Sequence, residues 1–229
     1  MKKSLCVIPA RSGSKGLKDK NILDLCGKPV LAYTIEACKE SEIFDDVFVI
    51  TDSEEYADIA RSYGAEIPFM ESKEMAGDLV SSAEPLLYCY DYLKRDYKLM
   101  WLFQPTSPLK MADDIVNAYK VFESNKYCEF VLSTTEIDPH YFHWALEDLN
   151  SGMSEMYFGK KMLKDRTELS PVYRPNGAIK VGVTDSVIRW RHFFGDNIVR
   201  TTMPEERSIH IRNQFDLDMC EMLLKKRGM

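Results

Sequence analysis

The chain has 229 residues, of which 45% are hydrophobic and 29% are charged, and its formal net charge at pH 7 is −6. This composition is typical of a soluble globular enzyme, and the acidic balance argues against nucleic acid as a partner. No apolar run approaches the roughly 20 residues of a membrane helix, and we expect no signal peptide, so the sequence predicts a cytoplasmic protein with no membrane partner. The six cysteines lack metal-site spacing, which favours buried thiols in a reducing compartment.

Patterns typical of strands and helices alternate between residues 4 and 133. The predicted strands cover residues 4–8, 47–51, 66–69, 99–103 and 130–133, and the predicted helices cover about 30–40, 53–63, 81–94 and 112–123. This alternation predicts an α/β fold with an open, Rossmann-like, mostly parallel sheet covered by helices. Sites in such sheets lie at the carboxyl ends of the strands, so we expect several of the intervening loops to meet there.

The alternation stops at about residue 138. Up to about residue 172 the chain is rich in aromatic and charged residues and has weak periodicity. We interpret residues 138–172 as an arm inserted into a single domain spanning 1–229, which covers the site or pairs with a second subunit. A floppy surface excursion is the alternative, although the aromatic density argues against full exposure. Regular patterns return as a strand at 178–183 and a final amphipathic helix at about 215–226.

The turn after the first predicted strand is the most informative segment. Gly13 and Gly16 allow the backbone to bend sharply and to direct its N–H groups at an anion. Charged side chains strengthen such hydrogen bonds, so the turn suits a polyphosphate. The glycine spacing fits neither the dinucleotide fingerprint nor the P-loop, and a solvated basic turn is the alternative interpretation. Four cations lie within ten residues of this turn: Arg11, Lys15, Lys18 and Lys20.

Two later segments also suggest ligand recognition. Residues 104–108 follow the strand at 99–103, and two prolines there hold an amide and two hydroxyls in an extended loop that suits a sugar or a base. Residues 174–177 read Arg-Pro-Asn-Gly, and Asn-Gly is a strong turn signal for which a structural hairpin is the simplest explanation. Arg174 and the upstream Arg166 favour recognition of a carboxylate or phosphate by planar guanidinium groups.

In this order and spacing, the motifs resemble those of the CMP-sialic acid synthetases, the acylneuraminate cytidylyltransferases. The resemblance covers nearly the whole chain. The family opening A-R-x-x-S-K-G-x-x-x-K-N is matched at residues 10–21. Later matches are S-T-D at Ile50-Thr51-Asp52, E-L-A-x-D at 74–78, Q-P-T-S-P-L-R at 104–110 with Lys110 in place of Arg, R-P-N-G-A-I at 174–179, and the pair Phe193-Phe194.

The resemblance implies a nucleotidyltransferase of the nucleotide-diphospho-sugar transferase fold, a homodimer that uses Mg²⁺ and condenses CTP with a nonulosonic acid, releasing pyrophosphate. The anomeric hydroxyl would attack the α-phosphorus in line, without a covalent enzyme intermediate. Arg11, Lys20 and Gln104 would act on the reacting groups. Nucleotide binding would fall to Ala10, Arg11, Ser14, Lys15, Gly16, Lys20, Asn21 and Asp78. Sugar binding would fall to Gln104, Thr106, Ser107, Arg166, Arg174, Asn176, Phe193 and Phe194, with Arg166 on the sugar carboxylate.

The chain departs from the family at its last motif, S-I-D-I-D-T, whose two aspartates hold the metal. The matching residues 208–213 carry His210 and Arg212 at those positions. Mg²⁺ prefers oxygen ligands, and an arginine would repel it. Arg212 could instead lie against the pyrophosphate as a permanent cation, and His210 could be a packed histidine. Alternatively, the triphosphate holds the metal with help from an acid, for which the candidates are Asp216, Glu84 and Glu71, although Asp216 also fits a cap of the last helix.

Three further departures lie in the expected pockets: Glu71 in place of Arg, Glu84 in place of Ser, and Lys180 in place of Tyr. They leave the base and the acid sugar open, and another nucleotide such as GTP is an alternative to CTP. A family member that binds nucleotide or sugar with little catalysis is the second hypothesis. The missing aspartates motivate that second hypothesis, whereas the retained phosphate-facing cations favour an active enzyme.

Overall fold

A computed structural model gives the structure of residues 3–13, 16–72, 81, 83–149, 152–159 and 164–228. None of the helices in these ranges combines the length and the apolar character of a membrane-spanning segment. The strands are β1 (Ser4–Pro9), β2 (Asp24–Leu25), β3 (Lys28–Pro29), β4 (Val47–Ile50), β5 (Leu99–Phe103), β6 (Phe130–Ile137), β7 (Leu146–Asp148), β8 (Ser154–Met156), β9 (Val172–Val183) and β10 (Ile198–Thr202). The α-helices are α1 (Val30–Glu40), α2 (Glu54–Ser62), α3 (Glu84–Leu93), α4 (Ala112–Ser124), α5 (Pro139–His143), α6 (Thr184–Trp190) and α7 (Gln214–Lys226).

Six strands form one mixed sheet in the order β10-β6-β9-β5-β1-β4. β1 pairs in parallel with β4 and β5, and β10 pairs in parallel with β6, whereas β9 runs antiparallel to both β5 and β6. The predicted α/β fold with a mostly parallel sheet is therefore confirmed. The predicted strand at 66–69 is wrong as a regular strand, because this segment meets β4 and Thr51 through single bridges at Glu66 and Met70. Pro68 has no N–H to donate to a ladder there.

Helices cover both faces of this sheet, which explains why its central strands are apolar without alternation. Ile8, Trp101 and Phe103 are buried on one face, while Val7 and Leu102 are buried on the other. A third buried cluster joins α7 and the segment before it to α1, and its members include Leu25, Tyr33, Leu109, Ile211 and Leu217. This third cluster holds residues 208–213 against the carboxyl edge of the sheet. Five of the six cysteines are buried, as the sequence predicted.

The segment predicted as an arm contains its own small structure. α5 is followed by a two-stranded antiparallel hairpin formed by β7 and β8, which is separate from the main sheet. Several large apolar side chains here face outward: Tyr141 is 83% exposed, Tyr157 is 61% exposed and Trp144 is 55% exposed. Exposed aromatic groups on this scale are typical of an interaction surface.

Candidate active site

The loop that leaves β1 is tied to the end of β4. The amide of Ala10 donates to the carbonyl of Ile50 at 2.8 Å. The backbone N–H and the hydroxyl of Ser12 donate to the two carboxylate oxygens of Asp52, at 2.8 and 3.0 Å. The sequence analysis assigned no role to Ser12. The available signal was that Ser12 and Asp52 follow two strands predicted to be parallel, which places a hydroxyl and an acid at the same edge of the sheet. These bonds hold the basic loop at the carboxyl edge of the sheet.

Asn21 holds the far end of the same loop. Its side chain is 4% exposed, and its Nδ2 donates to the carbonyl of Arg11 at 3.1 Å. Its Oδ1 has no hydrogen-bond partner within the described ranges. Lys20 is half-buried, and burial followed by the nearby charge of Arg11 lowers the pKa of its ammonium group. The structure thus brings Arg11, Lys20 and Asn21 together, and their role in nucleotide binding stays a prediction. Ser14, Lys15 and Asp78 lie outside the described residues.

Gly16 brings this loop against the segment that replaces the family's metal motif. A Cβ atom added to Gly16 would lie 2.7 Å from the carbonyl oxygen of Arg212, closer than real Cβ contacts allow. The glycine is therefore needed for the close approach of two backbones, in addition to any contact with phosphate. The basic loop and residues 208–213 form two adjoining walls at the carboxyl edge of the sheet.

A buried lysine shapes the loop after β5. Lys110 is 3% exposed, and its Nζ donates to Thr34 Oγ1 at 2.6 Å and to the carbonyl of Gln104 at 3.1 Å. Burial lowers the pKa of this ammonium group to about 8. The carbonyl of Thr106 accepts from the amide of Ile211 at 2.7 Å, which joins the loop to residues 208–213. Lys110 therefore positions Gln104, a role that the sequence did not predict.

His210 lies beneath this loop as a neutral imidazole. The hydroxyls of Ser107 and Thr106 lie 3.1 and 3.3 Å from its Nδ1. Burial, and then the positive charges of Lys20 and Arg212, lower its pKa to about 4. Thr106 and Ser107 are themselves buried, so we revise the direct sugar contact predicted for them. Their hydroxyls position His210 instead.

The segment Arg174–Gly177 is a bulge in a continuous strand and not the hairpin turn that Asn-Gly suggested. β9 runs through it, and its pairing register with β6 shifts between Leu132 and Thr134. Gly177 has φ +75°, a conformation that favours glycine. A Cβ atom there would lie 3.2 Å from Gln104 Oε1 and 3.8 Å from His210 Nδ1. The bulge thus brings β9 into contact with both of these side chains.

Asn176 holds the bulge in shape. It is 3% exposed, and its Oδ1 accepts a hydrogen bond from Ser133 Oγ at 2.5 Å. Its Nδ2 donates to Ser208 Oγ at 2.9 Å. Because these bonds engage both ends of the amide, the structure supports a positioning role for Asn176, and we revise the direct sugar contact predicted for it.

The two phenylalanines predicted to line the sugar pocket lie in different environments. Phe193 is 2% exposed and packs edge-on against Phe130, with ring centroids 6.4 Å apart. It is therefore a core residue, which corrects the prediction. Phe194 is 53% exposed, and the Nζ of Lys180 lies 5.5 Å from its ring centroid. Arg166 begins a short 3₁₀ helix, Arg166–Glu168, and its side chain lies outside the described part of the chain.

A cavity of about 390 Å³ opens between the bulge and the start of α7. It brings together Gln104 and Arg174 from the predicted sugar site with His210 and Arg212 from the altered motif. Its remaining lining residues are Pro175, Asn176, Gly177, Glu205, Ser208, Ile209, Phe215, Asp216 and Met219. Guanidinium groups and amides around one cavity suit an anionic, hydroxyl-rich ligand.

The residues at the family's metal positions do not fit Mg²⁺. Asp216, one of the acids proposed to help hold a metal, is already engaged, because its Oδ2 accepts from the amides of Arg212 and Asn213 at 2.8 and 3.2 Å. Asn213 Oδ1 in turn accepts from the amide of Asp216, so the pair caps α7 as the sequence predicted. Within the described ranges, no cluster of three or more His, Cys, Asp or Glu side chains is arranged to hold a metal.

The two other acids proposed as metal helpers have different surroundings. Glu84 forms an ion pair with Arg191, at 3.0 Å from its Nε, and is therefore already neutralised. Glu71 is 8% exposed, and burial together with the charge of Asp52 raises its pKa to about 7, while Arg11 opposes that shift. The pKa of Glu71 is thus affected by a residue of the basic loop, Arg11.

Comparison with known proteins agrees with the motifs. Residues 5–171 match the cytidylyltransferase family model. The N-acylneuraminate cytidylyltransferase of Escherichia coli is 36% identical over 227 residues, which are 99% of this chain and 53% of that protein. The pseudaminic acid cytidylyltransferase of Campylobacter jejuni is 30% identical over 97% of each chain. The CMP-N,N'-diacetyllegionaminic acid synthase of Legionella pneumophila is 28% identical over 96% of each chain.

The chain spans about half the length of the N-acylneuraminate cytidylyltransferases that it matches. Solved structures support the same fold. A CMP:2-keto-3-deoxy-manno-octonic acid synthetase complexed with CTP superposes with a TM-score of 0.75 at 15% identity, over 98% of this chain and 99% of the other. A 4-diphosphocytidyl-2C-methyl-D-erythritol synthase from Anaerococcus prevotii superposes with a TM-score of 0.67 at 13% identity, over 98% and 99% of the two chains. The chain therefore belongs to the cytidylyltransferase family.

Proposed function

We propose that this protein is an enzyme that condenses CTP with a nonulosonic acid to give a CMP-sugar and pyrophosphate. The observation that carries the proposal is the meeting of the basic loop after β1 with Gln104 and residues 208–213 at one edge of the sheet. Relatives named for N-acylneuraminate, pseudaminic acid and legionaminic acid support an acid sugar as the second substrate.

In this reaction the anomeric oxygen of the sugar bonds to the α-phosphorus, and the bond from that phosphorus to pyrophosphate breaks. The protein's task is to align the two substrates and to neutralise the charge that develops on the phosphate oxygens. Arg11 and Lys20 supply positive charge beside the loop amides, and Asn21 holds the loop through its hydrogen bond to the carbonyl of Arg11. Lys110 holds the backbone carbonyl of Gln104, and this contact positions the side-chain amide of Gln104 for the reacting groups.

The cavity beside this loop suits the acid sugar. Arg174 is exposed on its wall and can pair in bidentate fashion with a carboxylate. Phe194 does not line this cavity, so its contact with an apolar substituent of the sugar remains a proposal, as does Arg166 as a second partner of the carboxylate. We further propose a cytoplasmic homodimer in which the exposed aromatic side chains of residues 138–172 contact the second subunit.

The experiment is pyrophosphate release from each of the four NTPs with a panel of keto-acid sugars, with and without Mg²⁺. We expect release with CTP and a nonulosonic acid. The second candidate, a binding protein with little catalysis, is favoured by the loss of both metal aspartates at residues 210 and 212. That candidate predicts saturable nucleotide binding with no pyrophosphate release across the whole panel.

A further inference from the structure

The altered motif changes the charge of the site at two positions. In the resembling family these positions carry two aspartates, with a formal charge of minus two. Here they carry Arg212 and a histidine that stays neutral at pH 7 because of burial and nearby cations. Residues 208–213 therefore carry the positive charge of Arg212 where the resembling family carries two carboxylates, and Asp216 offsets part of that charge from 3.6 Å away.

Arg212 is anchored at its backbone, and its side chain is exposed. Its amide donates to Asp216 Oδ2 at 2.8 Å, and its carbonyl oxygen packs against Gly16. Its guanidinium group is 73% exposed and lies 3.6 Å from the same carboxylate oxygen, through Nε. That carboxylate also accepts the amide of Asn213, so its charge is shared with the helix cap. The Nη groups of Arg212 thus remain available to a ligand in the cavity that this residue lines.

We propose that Arg212, together with Lys20, neutralises the pyrophosphate that leaves during the reaction and replaces the protein-held divalent ion of the resembling family. This inference rests on the proposed function. As the bond from the α-phosphorus to pyrophosphate breaks, the negative charge on the departing oxygens increases. Two fixed cations at the rim of the basic loop stabilise that charge in the transition state more than in the bound triphosphate.

Calorimetry of CTP binding in EDTA and in Mg²⁺ tests the inference with a readout other than turnover. We expect the wild-type dissociation constant in EDTA to stay within about threefold of its value in Mg²⁺, a difference below about 0.7 kcal/mol. Arg212→Ala should weaken binding in EDTA by about tenfold, the loss expected for one charge-assisted hydrogen bond. Arg189→Ala is the matched control, because this exposed arginine on α6 pairs with Glu129 outside the site.

Pyrophosphate formation followed by ³¹P NMR, which needs no coupling enzyme, tests the catalytic half. Wild-type release should persist in EDTA, and Arg212→Ala should lower it there. The double variant His210→Asp, Arg212→Asp should bind Mn²⁺ directly in calorimetry and should release pyrophosphate only with added metal. This variant serves as a positive test that the two positions decide metal dependence.

Three results separate the possible failures. If wild-type CTP binding collapses in EDTA and Arg212→Ala behaves like Arg189→Ala, the inference is overturned and the cytidylyltransferase proposal stands. If neither the wild type nor Arg212→Ala binds or converts CTP under any condition, both proposals are overturned. If the double variant neither binds Mn²⁺ nor becomes dependent on metal, the claim that these positions decide metal dependence fails.

Discussion

The carbonyl oxygen of Arg212 lies so close to Gly16 that the Cβ of any larger residue at position 16 would be only 2.7 Å from it. Two segments that are almost 200 residues apart in the chain therefore share a backbone contact at the candidate active site. The positions of the basic loop and of the altered motif therefore depend on each other. A substitution in either segment should displace the other segment.

Gly16→Ala should weaken nucleotide binding by about tenfold or more, since overpacking costs typically 1–3 kcal/mol and here displaces the loop that holds the cations. Isothermal titration with CTP measures this change. Gly13→Ala is the control, because a Cβ atom at position 13 meets nothing within 4 Å. Equal affinities for the two variants would show that the Gly16 contact does not position the loop.

Arg174→Ala should raise KM for the acid sugar by about tenfold and leave KM for CTP nearly unchanged, because a carboxylate loses its guanidinium partner. Steady-state kinetics with each substrate varied in turn measures the split. Arg200→Ala is a suitable control, because Arg200 does not line the cavity. Its guanidinium carbon lies 3.9 Å from the ring centroid of Tyr173. A rise in KM for CTP alone would indicate that Arg174 contacts the phosphates and not the sugar carboxylate.

The buried Lys110 should make stability depend on pH in the alkaline range. Its pKa is lowered from 10.5 to about 8 in the folded protein, so between these values the unfolded chain binds more protons. Stability from this group therefore rises with pH across that window, by about 3 kcal/mol. The free energy of unfolding of wild type minus that of Lys110→Met, measured in urea from pH 8 to 10.5, should rise accordingly. A flat difference would mean that the ammonium group is better solvated than its burial indicates.

Lys180→Met should stabilise the fold by about 1 kcal/mol, because a half-buried ammonium group with no carboxylate partner in the described ranges opposes folding. Thermal unfolding measures the change. Lys126→Met is the matched control. The Nζ of Lys126 also lies over an aromatic ring, 5.6 Å from the ring centroid of Tyr127, but Lys126 is exposed to solvent. A destabilised Lys180→Met protein would indicate that the ammonium group has an anionic partner.

The sequence by itself determined the fold class, the central strands and the basic loop. Strands such as Leu99–Phe103 are continuous apolar runs. The helix Glu54–Ser62 is capped by the adjacent Ser53, so its start depends on neighbouring residues only. Such local signals are readable without knowing the fold, because burial on both faces of a sheet requires an unbroken apolar run. The motif spacing likewise predicted the family.

Only the tertiary structure decided how the later segments meet. Asn176-Gly177 has the local signal of a hairpin turn, but pairing with both β5 and β6 keeps the strand continuous and makes a bulge instead. The hydroxyl of Thr106 meets His210 across 104 positions of the chain, so no local pattern could reveal that it faces inward. The adjacent Phe193 and Phe194 separate into core and surface for the same reason. Each outcome depends on which strands and loops become neighbours, and long-range packing sets that arrangement.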